Sequence, residues 1–265
     1  VSDLDRDAVL DALEAAYQNV TAVAGGLGEA GLMRPSRCAG WAVADVLYHQ
    51  LLDARRALRT FASPSAGPVD CDDVSYWADY APGGGPGEGS EGVPGQADRP
   101  GDALGPVGGP GEGGGPGEGS GSAHAAESAA HARYVRIAAA AYPPGTLAWE
   151  WSETAAAACR AARACGHAAV TTQGHVLTVA SFAATLAVEA AVHYLDLTVA
   201  LPGAPAPDPA SLALVRRALG GLLGAQLPAS WDDVTAALKG TGREPLTEAD
   251  RQALGPLAAR FPLFA

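Results

Sequence analysis

Glu189 and His193 stand four residues apart in SFAATLAVEAAVHYLDLTVAL, residues 181 to 201, where Phe182, Leu186, Glu189, His193 and Leu197 follow steps of four, three, four and four. On a helix these five share one face, so a carboxylate and an imidazole interrupt an otherwise apolar stripe. A buried carboxylate is costly unless it is paired or ligates a metal, and a buried imidazole needs a partner too. An i, i+4 pair of this kind can chelate one ion from a single helix. The other reading is a hydrogen-bonded Glu and His, or a partly exposed pair on a broad face. His49, in GWAVADVLYHQLLDARRAL, shares a helical face with Val46, Leu52 and Asp53 and belongs at the edge of the buried sector. It is structural unless the fold brings it opposite Glu189 and His193. Two His and one carboxylate leave coordination positions open, which marks a reactive centre, and zinc leads on ligand type, with nickel and iron compatible.

Around this trio stand supporting candidates. Asp196 follows His193 by about one turn and Asp53 follows His49, so each can orient an imidazole or simply be a surface acid. His175 can bind substrate or donate a proton, or be a loop residue without a role. Arg243, in GTGREPL, can hold an anionic group, or pair with Asp250 or another acid. Arg55 and Arg56 are similar candidates, although with Arg59 they also complement a helix dipole. His124 and His131, seven apart, form an accessory metal site or a solvated face. Cys38, near Trp41, is a redox thiol or a small buried apolar residue. No Walker loop, GxGxxG or GxSxG has the strand and helix context it requires.

The elements that must position these residues are helices. Ser2 can cap a first helix with Leu10, Leu13, Tyr17, Val20 and Ala24 on its inner face, ended by Gly25 and Gly26. Trp41 opens a second that runs to about residue 62, before Pro64 and Pro68. Residues 83–121 turn abruptly to Gly, Pro, Glu and Ser, with GGGPGEGS at 83–90 and again at 113–120. Such a segment cannot bury enough apolar surface to offset its ordering entropy and is expected to be a disordered insertion. Helix resumes at 122–142, is broken by Pro143 and Pro144, and resumes at about 147–164. Residues 169–179 are a short hairpin or extended loop. Thr178 or Ser181 then starts the helix of Glu189 and His193, which Pro202 terminates. Short helices at about 209–224, 230–238 and 247–259 complete the chain.

Ala-rich composition and sparse Phe, Met and Tyr make the fold class all-α, a four-helix bundle over residues 1–201 with a small helical extension over 202–265. A formal charge of −12, with 17 scattered Lys and Arg, argues against nucleic acid and anionic membrane as partners. Cys38, Cys71, Cys159 and Cys165 form no CxxC and no disulfide framework, which points to reduced thiols in a soluble, cytoplasmic protein.

The paired pattern GWAVADVLYHQLLDARRAL and TLAVEAAVHYLDLTVAL resembles the mycothiol-dependent members of the DinB-like superfamily, often labelled maleylpyruvate isomerase family proteins. The resemblance covers about residues 3–62 and 146–201. It implies a DinB-like bundle whose first motif supplies one His, and whose later ExxxH supplies a Glu and a His, to a catalytic metal; the matching positions are His49, Glu189 and His193. It further implies a thiol transferase or isomerase in which Zn2+ receives mycothiol or a similar small thiol for attack on a small electrophilic metabolite. A family isomerase carries a mixed α/β domain after the bundle, whereas the tail here reads as short and helical, which favours S-transfer over isomerisation of maleylpyruvate itself. A non-catalytic metal-stabilised ligand-binding protein and a metal-dependent hydrolase are the competing expectations, and a homodimer is compatible with all three.

Overall fold

The computed structural model describes residues 4–65, 67–80 and 120–264, and these form nine α-helices and one two-stranded hairpin. Helix α1, Arg6–Ala24, is capped by the Asp5 carboxylate, which accepts from the amides of Asp7 and Ala8. The expected cap, Ser2, lies outside the described residues. A single turn, α2 (Glu29–Leu32), leads to α3 (Val43–Phe61), where Asp45 reaches back to the Ala42 amide at 2.8 Å. Helix α4, Ser120–Ala140, is followed at once by α5, Pro144–Ala164. Pro144 thus does two things: it ends one helix and sits in the first turn of the next, where its missing N–H costs nothing.

Four of these helices close a ring. α1 packs against α5 and α6 (Val179–Thr198), and α3 packs against the same two from the other side. Leu13, Leu47, Leu51, Trp151, Phe182 and Leu186 fill the centre at 1% exposure or less. Enclosing each such side chain stabilises by about 1.5–3 kcal/mol relative to leaving it in water. The Ala residues of α6 let backbones approach closely, and 16 of its 20 residues are buried. Helix α4 lies outside the ring against α3, with Val135 and Ala139 turned inward.

Residues 169–178 form the hairpin: β1 (Ala169–Thr172) pairs antiparallel with β2 (His175–Thr178) through a turn in which Gln173 and Gly174 have φ of 47° and 85°. Two positive φ values in a row are the hairpin turn whose twist matches the flanking strands. Thr178 then caps α6 by accepting from the Ser181 amide at 3.0 Å.

The C-terminal segment is helical, as expected, with α7 (Pro209–Leu223), α8 (Asp233–Gly240) and α9 (Glu248–Leu254). α7 packs on α1, on α6 and on a short 3-10 turn at Ser75–Tyr80, which the sequence reading did not include. Leu212, Val215, Leu219 and Leu223 join the bundle's apolar cluster, while Leu222 stays half-buried. The expected disordered insertion lies outside the described residues except for its last two, which start α4. Among the described residues no helix is long and apolar enough to cross a membrane, and the four cysteines are free thiols.

Candidate metal centre

Residues from α3 and α6 meet at one point: a ligand atom from each of His49, Glu189 and His193 lies within 4.8 Å of the others. The imidazole rings of His49 and His193 stand 4.8 Å apart, centroid to centroid, at 80°. From α6 itself, Nε2 of His193 sits 3.2 Å from Oε2 of Glu189, the i, i+4 contact that the helical period provides.

Each imidazole has a carboxylate behind it. Asp196, fully buried, approaches Nδ1 of His193 at 2.9 Å through Oδ2. Its other contacts come from far along the chain: Nε and Nη2 of Arg243 each donate to it at 2.8 Å, and the Cys38 thiol lies 3.3 Å from Oδ2. The loop bearing Cys38 is held over the end of α6 by the Arg37 amide donating to the Asp196 carbonyl, and by Arg34 donating to the Ala200 carbonyl. On α3, Oδ2 of Asp53 stands 3.6 Å from Nε2 of His49, and Oδ1 accepts from Arg56 at 2.9 Å. Arg56 is buried; it also donates to the Tyr76 hydroxyl and to the side-chain carbonyl of Gln173 in the hairpin turn.

The electrostatics follow from this nest of charges. Burial opposes ionisation of Glu189, but the hydrogen bond and charge of His193, with His49 and Arg56 beyond, hold its carboxyl down at about 2. Burial likewise opposes charging of His193, yet bonds to Asp196, Cys38 and Glu189 keep its pKa well above the ordinary histidine value. His49 goes the other way: burial pushes it down, and the neighbouring Asp53 offsets this only in part. The Asp196 carboxyl is desolvated, yet His193 and Arg243 keep it far below the usual range.

These residues fit a divalent cation. Nδ1 of His49 is buried and makes no hydrogen bond, an arrangement that is expensive for a polar atom with no further partner and natural for a ligand lone pair. The donor set of two imidazoles and one carboxylate, each imidazole backed by an acid, suits zinc. Cys38, His193 and Asp196 also bring ligand atoms within 4.8 Å of one another. Arg243 already occupies both oxygens of Asp196, however, and its guanidinium would repel a second cation, so the trio from α3 and α6 is the candidate centre.

The remaining expectations divide. Arg243 is at the site, but its acid is Asp196 and not Asp250, which pairs with Lys239. Cys38 is more than apolar filling, since its thiol touches Asp196. His131 faces the ring of His49 at 5.7 Å, so the solvated-face reading gives way to a contact with the centre. Arg55 pairs with Glu150 on α5, away from the ligands. His175 lies on β2, 3.7 Å from Asp70 and 6.1 Å from the Tyr76 ring, outside the trio. His124 falls where side chains are not described. Sequence reasoning did not single out Tyr76 or Gln173, because nothing in their local spacing reports a contact with Arg56. A cavity of about 570 Å3 opens between α2, α3 and α4 beside Leu32, Arg133 and Ile137, and none of the three candidate ligands lines it.

Comparison with protein families gives a match over residues 13–105 to the mycothiol maleylpyruvate isomerase N-terminal domain. The matched span contains His49 and most of α1 and all of α3; Glu189 and His193 lie beyond it. Comparison with curated proteins and with solved structures gave no match.

Proposed function

From the premise that this chain is a relative of the mycothiol maleylpyruvate isomerase family, which the match over residues 13–105 supports, we propose that it is a zinc-dependent thiol transferase or isomerase acting with mycothiol or a similar small thiol. The observation that carries this reading is the convergence of His49, Glu189 and His193 within a common ligand sphere. A divalent ion held there supplies a Lewis acid that deprotonates a thiol at neutral pH.

The chain's own residues then have separable tasks. Glu189 offers a carboxylate that stays ionised at any physiological pH, since its pKa is held at about 2. Asp196 fixes the ring of His193 by accepting at Nδ1, which leaves Nε2 toward Glu189. Arg243 keeps Asp196 ionised and in place. Asp53, held by Arg56, places a carboxylate charge 3.6 Å from Nε2 of His49 without a hydrogen bond to it.

Protein purified without chelating resin should carry about one zinc per chain by elemental analysis, and His49→Ala and His193→Ala should lose it. Mycothiol should shift the visible spectrum of the cobalt-substituted protein and support consumption of an electrophile. Absence of bound metal, or hydrolysis of an ester or amide with no response to any thiol, would defeat the reading in favour of a structural metal-free bundle or a hydrolase.

A further inference from the structure

His131 comes from α4, which is not one of the four ring helices and which packs on α3. It precedes the buried Val135 by four residues and the buried Ala139 by eight, so it lies on the stripe of α4 that faces α3. Tyr48 and Tyr134 fix the two helices against each other here, their hydroxyls 3.2 Å apart. The His131 ring meets that of His49 edge to face, centroids 5.7 Å apart at 80°. Among the described residues His131 makes no side-chain hydrogen bond and no ion pair, and its ring contact is with His49.

Two imidazoles bound to one tetrahedral ion stand with ring centroids about 5 Å apart, given metal–nitrogen bonds of about 2.0–2.1 Å. The separation of His49 from His193 is 4.8 Å and that of His49 from His131 is 5.7 Å, values that bracket this distance. His131 nevertheless lies outside the ligand sphere that His49, Glu189 and His193 share. The imidazole is half-buried, with its ring one edge-to-face contact away from a member of that sphere.

We propose that His131 is a displaceable fourth ligand, one that closes the centre formed by His49, Glu189 and His193 when no thiol is bound and gives way to the thiol sulfur. The inference rests on the metal-centre reading of the proposed function and deepens it. In the exchange the bond from the His131 nitrogen to the ion breaks, a bond from sulfur to the ion forms, and the thiol proton passes to solvent. His131 therefore guards the open position against other ligands without taking part in the attack on the electrophile.

The test uses the full chain loaded with cobalt, comparing wild type with His131→Ala and His131→Phe, the second preserving a ring against His49 while offering no lone pair. Wild type should show a four-coordinate spectrum with three imidazole-type nitrogens by X-ray absorption, counting two for the variants. Both variants should bind cobalt about tenfold more weakly, and mycothiol should bring all three proteins to the same sulfur-ligated spectrum. Cobalt uptake with wild-type and variant spectra identical before thiol would overturn the role of His131 while leaving the metal centre standing. Failure of wild type to take up cobalt at all would overturn the centre, and the role of His131 with it.

Discussion

Arg243 and Asp196 are joined by two hydrogen bonds of 2.8 Å, and this pair ties the C-terminal extension to the helix that carries His193. Asp196 is fully buried, so its charge is tolerable only because Arg243 and His193 share it.

Arg243→Ala should therefore act on both stability and metal affinity. Removing one partner of a buried pair costs about 3–5 kcal/mol. Loss of the orienting acid weakens metal binding about 10–100-fold, and Asp196→Asn should show the same weakening. Urea unfolding and zinc titration against a competing chelator read the two effects separately. Unchanged zinc affinity in both variants would mean that Asp196 does not orient His193.

Arg56 holds Asp53 behind His49 and is itself buried. Arg56→Met leaves that carboxylate without its counterion and should cost about 3–5 kcal/mol, whereas the double variant Arg56→Met, Asp53→Asn should recover a substantial part of the loss. Equilibrium unfolding of the four proteins in this cycle gives the coupling; additive effects would show that the two side chains act independently.

Binding of a cation to the folded chain alone should raise its stability. At free zinc a thousandfold above its dissociation constant the gain is about 4 kcal/mol. Thermal unfolding with and without chelator should show a rise in Tm that Glu189→Gln largely abolishes.

Asp250 gives a prediction in pH. Desolvation opposes its ionisation, but Lys239, Thr247 and Trp231 outweigh this and hold its carboxyl far below the usual range. A depressed folded-state pKa means that the contribution to stability is full above the unfolded value, about 3.9, and is lost as pH falls through the folded value. Asp250→Asn should accordingly be less stable than wild type at pH 7, by about 1.5–3 kcal/mol, and the gap should narrow as the solution is acidified below about pH 4. Urea midpoints measured across that range check the sign.

The sequence by itself determined what lies within one turn of a helix. The spacing of Glu189, His193 and Asp196 fixes their contacts once α6 forms, because residues three and four apart stand on one face whatever packs against it. The same holds for His49 and Asp53, and Thr178, the prolines and the apolar stripes mark the ring helices to within a few residues, whereas α1 is capped by Asp5 and not by the expected Ser2. Tertiary structure decided which distant groups share that face. Arg243 reaches Asp196 across 47 residues of chain and Cys38 reaches it across 158, distances over which no periodicity carries information. His131 looked like a solvated residue because α4 is weakly patterned, and only the packing of α4 on α3 turns it toward His49. Local backbone geometry repeats and can be counted along a sequence; the meeting of two helices depends on how whole apolar faces fit together.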